Sequence, residues 1–358
     1  MPALDSRSGV LLHDKLRATN GYTLFTPIGL FTAYLIDMSG NVVHQWEVPN
    51  ELGHYAYLLD NGNLLASVRT EEGPMGLPAK GGHLIEYDWD GNVVWEHIDH
   101  FQHHDFRRQT DGNTVYLAWE LLDAETSSRV PGGLPGREHE DGIYGDVIRE
   151  IDQQGNVVWE WHATTDMNMN RFPLDPTVVR SEYAHANTIF PCVNGDYLIN
   201  WRFNNTMLRV DKVSKAVTWY LNDISYGQHH DVQQIENGNI LFFANGADVH
   251  MHGPEGGSAV VEVDPETNSE VWRYEGSPRR SFVSWFISGC QRQPNGNTLI
   301  CEGMWGRLFE VTPDGEIVWE YVSPYVVDYE HPVFKGMNAI FRCYRYAANS
   351  SQIAGRLP

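Results

Sequence analysis

Four histidines of this chain stand at one place in a repeated phrase. His54 precedes the glycine of an Asn-Gly turn, Gly62, by eight positions; His104 and His230 precede Gly112 and Gly238 by the same interval, and His185 precedes Gly195 with two residues more. A short apolar run separates each histidine from its turn, and a second apolar run follows. Ser288 takes the histidine's place ahead of Gly296, and Asn338 takes it in the last phrase. Seven residues beyond the turn glycine a second equivalence appears, with Arg69 and Arg202 in the first and third phrases and Trp119, Asn245 and Gly303 in the others. Imidazole titrates near neutral pH and serves as nucleophile, acid or base. Two guanidinium groups beside several imidazoles make an electropositive point suited to a sulfate, phosphate or carboxylate.

Neighbouring residues on a strand face opposite ways. Of the pairs His103-His104 and His229-His230, register therefore assigns His104 and His230 to the shared place, and His103 and His229 to packing between sheets. Asp105 and Asp231 should then face away from the shared imidazoles. The bland alternative, in which each histidine bonds a turn of its own sheet, does not account for four in register. A competing chemistry is a hydrolase or lyase whose divalent metal, zinc or manganese, is held by His54, His104, His185 and His230. Against it, an arginine aimed at the same cavity repels a cation. A third reading is a non-catalytic propeller that binds an anion at Arg69 and Arg202. His250 and His252, in a Gly-rich stretch, are candidate rim contacts.

The elements that must position these residues are strands. A second phrase, an alternating strand, a tight turn and Val-Val-Trp or its equivalent, recurs six times, ending at His44, Trp95, Trp159, Trp219, Trp272 and Trp319. Period-two alternation with Asn-Gly or Asp-Gly turns is the hairpin signal, and two hairpins make a four-stranded sheet. Six such units without helical periodicity predict an all-β fold, a six-bladed β-propeller spanning residues 1–358 as one domain. In a propeller the first strand of each blade is innermost, which brings the histidines together at the axis. Strands near Gly21 and Leu30, with Met337–Tyr346 from the other end, should complete one blade and leave no open edge. Insertions at Leu121–Gly145, Thr164–Tyr183 and Gly246–Gly257 are expected as rims or lids over one mouth of the channel.

The chain has 358 residues, 42% of them hydrophobic, with 47 acidic against 25 basic side chains and a net charge of -22. Such an acidic protein is repelled by nucleic acid and by anionic membranes, so the expected partner is a small aromatic or anionic molecule, with a homo-oligomer left open. No signal peptide or long apolar run is evident, and the four cysteines lack metal-type spacing, so the sequence reads as soluble, cytoplasmic and reduced.

Ala184-His185-Ala186-Asn187 with Asn200-Trp201-Arg202, then Gln228-His229-His230-Asp231 with Phe242-Phe243-Ala244-Asn245-Gly246, and Gln293 to Gly303, resemble the bacterial, PAPS-independent aryl sulfotransferases. The resemblance runs from about Leu35 to Tyr321. It implies a site at the propeller axis, no cofactor, and transfer of a sulfuryl group from an aryl sulfate to a phenol through a sulfated histidine. Carried onto this chain, the nucleophile falls on His185, the asparagine on Asn187, the sulfate-binding arginine on Arg202, and two further axial histidines on His104 and His230. The chain departs from the family's best-known members in lacking their signal peptide and the N-terminal extension many of them have. Argued from the groups, His185 attacks sulfur, Arg202 and Asn187 hold the equatorial oxygens, and a protonated His104 or His230 serves the leaving oxygen. His54 and Arg69 would add a second clamp on the anion, unless Arg69 pairs with Glu71 or Glu72 at the rim. Tyr55, Tyr183 and Trp285 are candidates to stack the aryl ring.

Overall fold

Each phrase folds back on itself because its turn glycine takes a left-handed conformation that other residues resist: Gly62, Gly112, Gly195, Gly238 and Gly296 all lie at φ between +82° and +89°. The computed structural model describes residues 7–246 and 256–357, which form the six antiparallel sheets of a six-bladed β-propeller. His250 and His252 lie outside the described residues.

From the axis outward, blade 2 is Leu52–Leu58, Leu64–Arg69, Gly82–Tyr87 and Val93–Ile98. Blade 3 is Gln102–Arg108, Thr114–Leu121, Tyr144–Ile151 and Val157–His162, and blade 4 is Ala186–Pro191, Tyr197–Trp201, Thr206–Val210 and Val217–Asn222. Blade 5 is His230–Gln234, Ile240–Ala244, Ala259–Asp264 and Ser269–Glu275. Blade 6 is Gly289–Arg292, Thr298–Glu302, Arg307–Val311 and Ile317–Val322, with Gly9–His13 added to its outer edge. Blade 1 joins both ends of the chain: Ile340–Tyr346 is its innermost strand, paired to Tyr22–Pro27, Thr32–Ile36 and Val42–Glu47. The ring thus closes by main-chain pairing between strands from the two ends of the described chain.

The aromatic residue of the outer-strand phrase clasps the next blade. Trp95 Nε1 donates to Gln153 O (3.0 Å), Trp159 to Lys212 O (2.9 Å), Trp219 to Asn268 Oδ1 (2.8 Å), Trp272 to Pro313 O (2.8 Å) and Trp319 to Met38 O (3.0 Å). In blade 1 the same register position holds His44, whose Nε2 reaches Trp89 O at 2.8 Å. Each clasp contributes about 1 kcal/mol. Burial of the blade faces, such as Leu24, Leu35 and Trp46 against Leu64, Ala66 and Val68, is worth roughly 1.5–3 kcal/mol per large side chain. Packing therefore supplies the stability, and the clasps fix how one blade sits on the next.

The two long described insertions do not line the axial cavity. Leu121–Gly145 carries a helix, Ala124–Arg129, and a strand, Gly132–Leu134, which pairs in parallel with Leu174–Val179 of the other insertion. The rim of the cavity is made instead by the loops at 76–80 and 331–334. Among the described residues no helix is long and apolar enough to cross a membrane.

Candidate active site

Five of the six innermost strands are bulged where they begin. Against the neighbouring strand, one or two extra residues are inserted around His54, His104, Asn187, Asp231 and Phe341, whereas the start of blade 6 is regular. A bulge re-aims side chains that simple alternation would place elsewhere. The backbone there is strained, with φ of +113° at His54, +48° at His104, +61° at His185 and +53° at Asp231, a conformation costing on the order of 1–3 kcal/mol at each non-glycine residue. Pairing with neighbouring segments holds it in place: His104 N donates to Ala79 O (2.9 Å) and Arg202 N to His185 O (3.1 Å).

The result is a cavity of about 370 Å³ whose lining includes His54, His104, His185, His230, Arg69 and Arg202. The His104 and His185 rings are 4.7 Å apart and those of His54 and His104 5.8 Å. The sixth axial place belongs to Phe341 rather than Asn338; its ring lies 4.7 Å from His54 and 6.2 Å from His230. Asn338 turns away and donates to Ser323 O (2.9 Å). The rest of the lining is apolar at Leu52, Leu77, Pro78, Phe286, Ile287, Pro332, Val333 and Phe334 and charged or polar at Glu51, Arg69, Lys80 and His331.

Each of three imidazoles is gripped by Nδ1, and for His185 and His230 the grip defines the tautomer. His185 Nδ1 lies 2.9 Å from Glu182 Oε1, whose other oxygen accepts from Trp119 Nε1 at 2.8 Å. A carboxylate only accepts, so His185 carries its proton on Nδ1 and presents the Nε2 lone pair to the cavity. His230 Nδ1 lies 2.7 Å from Asn245 Oδ1, and Asn245 Nδ2 donates to Ser284 O and Ile287 O, so Nδ1 is again the protonated nitrogen. His104 Nδ1 meets His103 Nδ1 at 2.8 Å, with His103 Nε2 3.4 Å from Asp146 Oδ1 behind it.

Burial, reinforced by neighbouring positive groups, disfavours the charged forms of His54, His104 and His230. It pushes His54 down to about 3, with Arg342, His185 and Arg69 adding to the effect. His104 and His230 also fall well below the ordinary 6.5, by burial first and then through His185 and Arg202 respectively. Burial likewise lowers Arg202 to about 10 against the opposing pull of Glu182. At Glu182 burial works upward, but His185 and its hydrogen bond bring the carboxyl below its ordinary value. Arg202 makes no ion pair among the described residues, and its Nε is buried without a hydrogen bond.

A pH dependence of stability follows. A histidine whose pKa is depressed by folding takes up its proton more readily when unfolded, so its stabilising effect is complete above about 6.5 and is lost as pH falls toward the folded value. With His54, His104, His230 and His229 (about 4) all depressed, the urea midpoint should drop steadily between pH 7 and pH 4.5. A midpoint that stays flat over that range would count against neutral burial. Inorganic sulfate, by favouring charged imidazoles, should reduce the slope.

Other expected residues are placed elsewhere. Asn187 does not reach the cavity: as the bulged residue of blade 4 it points to blade 5, donating to His229 O (3.0 Å) and accepting from Asn200 Nδ2 (2.6 Å). Tyr55 lies beneath the floor, its hydroxyl on Asp105 and on Phe106 O (3.1 Å). Tyr183 is buried beside Trp201 and bonds Phe172 O (3.1 Å), and Trp285 is 58% exposed, while its neighbours Phe286 and Ile287 line the cavity. Arg69 approaches Glu51 (3.6 Å) rather than Glu71 or Glu72. His103 and His229 are buried, the first stacked on Trp119 and the second against Phe242.

Sequence reasoning missed Glu182, the second-layer Trp119 and Asn245, and Arg342 under the floor. The signal for Trp119 and Asn245 was present: both occupy the position seven residues beyond the turn glycine. Among the described residues no group of three or more His, Cys, Asp or Glu side chains is arranged to hold a metal ion.

Fold and site together define a six-bladed propeller with an axial histidine-arginine pocket. The chain belongs to the arylsulfotransferase (ASST) family, whose model matches residues 81–324. That span includes His104, His185, Arg202 and His230 and leaves out His54, Arg69 and Lys80. None of the curated proteins matches the chain in sequence. Among solved structures, a protein of unknown function from Bacteroides caccae is similar with a TM-score of 0.57 and 13% identity over 91% of this chain and 99% of that one, a likeness of fold alone. A streptogramin B lyase has a TM-score of 0.49 and 10% identity over 89% of this chain and 83% of its own.

Proposed function

We propose that the protein is a sulfotransferase that moves a sulfuryl group from an aryl sulfate to a phenol through His185. The observation that carries this reading is a partly buried guanidinium that makes no ion pair among the described residues, Arg202, in the same cavity as an imidazole whose Nδ1 is held by a carboxylate. An unpaired buried cation is costly, and an oxyanion of the substrate supplies its partner. Family membership supports a transferase of the same kind.

In the first half-reaction the Nε2 lone pair of His185 attacks sulfur, an N–S bond forms, and the S–O bond to the aryl group breaks with both electrons leaving on the phenolate oxygen. Positive charge develops on the imidazole, and Glu182 at Nδ1 stabilises it. Arg202 binds the sulfuryl oxygens, and the apolar walls take the ring. Burial disfavours the charged forms of His104 and His230, so the proton for the leaving oxygen enters with the anion, whose charge favours their protonated forms. In the second half-reaction the His104 or His230 imidazole that gave up its proton takes the proton of the incoming phenol, as the phenol oxygen attacks sulfur and the N–S bond breaks with its electrons returning to His185 Nε2.

Incubation with 4-nitrophenyl sulfate and phenol should release nitrophenolate and form phenyl sulfate in equal amounts, with ping-pong kinetics. EDTA should leave the rate unchanged. A rate lost on chelation and restored by zinc or manganese would favour a metal-dependent hydrolase instead, and binding of the ester without turnover would favour an anion-binding propeller.

A further inference from the structure

Besides Arg202, two cations line the cavity from blade 2. Arg69 ends the second strand of that blade, and Lys80 lies in the rim loop. Lys80 is 4% exposed and uses two ammonium hydrogens on Thr70 Oγ1 (3.1 Å) and His100 O (2.8 Å), leaving a third free. The Arg69 side chain is about one-third exposed, and its approach to Glu51, at 3.6 Å, is longer than a hydrogen bond. The other oxygen of Glu51 lies 3.3 Å from His331 Nε2. Glu51 is the carboxylate nearest Arg69, while Asp99 and Glu71 act on Lys80 from farther away, so neither cation is held in a direct hydrogen-bonded ion pair among the described residues. Arg69 acts on His54 and Lys80, whereas Arg202 acts on His230 and Glu182, so the two guanidinium groups serve different neighbourhoods. Leu77, Pro78, Phe334 and Phe341 supply apolar surface in the same cavity.

Resting on the sulfotransferase reading, we propose that Arg69 and Lys80 form a subsite for a carboxylate carried by the aryl moiety, so that the preferred donors and acceptors are phenols with an acid arm. The planar fork of Arg69 and the free hydrogen of Lys80 suit the two oxygens of that carboxylate. Donor and acceptor occupy the same walls in turn, so the preference applies to both half-reactions.

The test compares 4-(sulfooxy)phenylacetate with its primary amide, in which a methylene insulates the ester oxygen from the change. The wild-type kcat/KM should favour the acid by about tenfold or more, as expected for a charge-assisted contact. In Arg69→Leu the ratio should fall below about two, and Lys80→Met should reduce it in part. Because the readout is a ratio within each variant, partial loss of folded protein does not affect it. Calorimetry with 4-hydroxyphenylacetate and 4-hydroxyphenylacetamide gives a second reading that needs no turnover. If neither ester reacts, the sulfotransferase reading fails, and the subsite is then decided by whether the acid binds more tightly than the amide in wild type but not in Arg69→Leu. Equal binding of acid and amide by the wild type, or an acid preference that survives in Arg69→Leu, overturns the proposal.

Discussion

His185→Gln should lose transfer from an aryl sulfate by at least about 10³-fold in kcat, the scale on which removal of a nucleophile acts. No covalent sulfate should remain on the protein after brief exposure to a radiolabelled donor. Glutamine keeps a polar group of similar reach but has no lone pair nucleophilic enough to attack sulfur. The competing outcome is specific, because His230 presents an equivalent Nε2 lone pair beside Arg202. If His185→Gln still acquired label and His230→Gln did not, His230 would be the nucleophile and His185 with Glu182 the proton carrier.

Glu182 sharpens the same experiment. Both of its neighbours donate, Trp119 through Nε1 and His185 through Nδ1, so both oxygens must accept. In Glu182→Gln only one oxygen is left, and the amide must turn an N–H toward one of two donors. The His185 imidazole then loses either its orientation or its tautomer, and kcat should fall by about 10²–10⁴-fold with KM little changed. Loss of Trp119 alone, as Trp119→Phe, removes one donor but leaves the carboxylate on His185, and should cost far less.

The hairpins were legible because alternation and turn glycines are local signals, and the sixfold Trp phrase revealed the closed ring. In-register equivalence also found Arg69 and Arg202, since equivalent positions in a propeller reach equivalent depths. Alternation failed where the strands bulge. Asn187, two residues from His185, should share its direction, but the extra residue in blade 4 turns it toward His229. Tyr55 was displaced beneath the floor in the same region of blade 2. Glu182 escaped notice because it belongs to no repeat: it comes from the end of an insertion, where Glu182–Tyr183 pairs in parallel with Tyr144–Gly145 and so arrives beside His185. The phrase of blade 1 has neither histidine nor turn glycine, so its axial residues, Phe341 and Arg342, could not be aligned from sequence.

Arg342→Met should destabilise the fold by about 3–5 kcal/mol, the cost of breaking a buried ion pair from one side. Arg342 is 1% exposed and lies under the histidine floor, with Nη1 on Asp105 Oδ2 (2.9 Å), Nε near Asp231 Oδ1 (3.1 Å) and Nη2 on Asn187 O and Thr188 Oγ1 (both 2.9 Å). Asp105 reaches Ile189 N (2.9 Å) and Tyr55, and Asp231 reaches Cys290 N (2.9 Å), so one arginine from the closing strand ties all six blades at the axis. The two carboxyls are not equally supported. Burial raises both, but Arg107 together with Arg342 brings Asp105 below its ordinary range, whereas at Asp231 burial outweighs the cations and the carboxyl stays raised. Removing Arg342 therefore falls hardest on Asp231. A carboxyl with a raised folded pKa binds its proton more readily in the folded state, so protonation restores stability as pH falls through that value. The difference in unfolding free energy between wild type and Arg342→Met should then be smaller at pH 5 than at pH 8, and Asp231→Asn in the Arg342→Met background should recover part of the loss. A deficit under about 1 kcal/mol at pH 8, or one that grows on acidification, would mean that water rather than Arg342 satisfies the axial carboxylates.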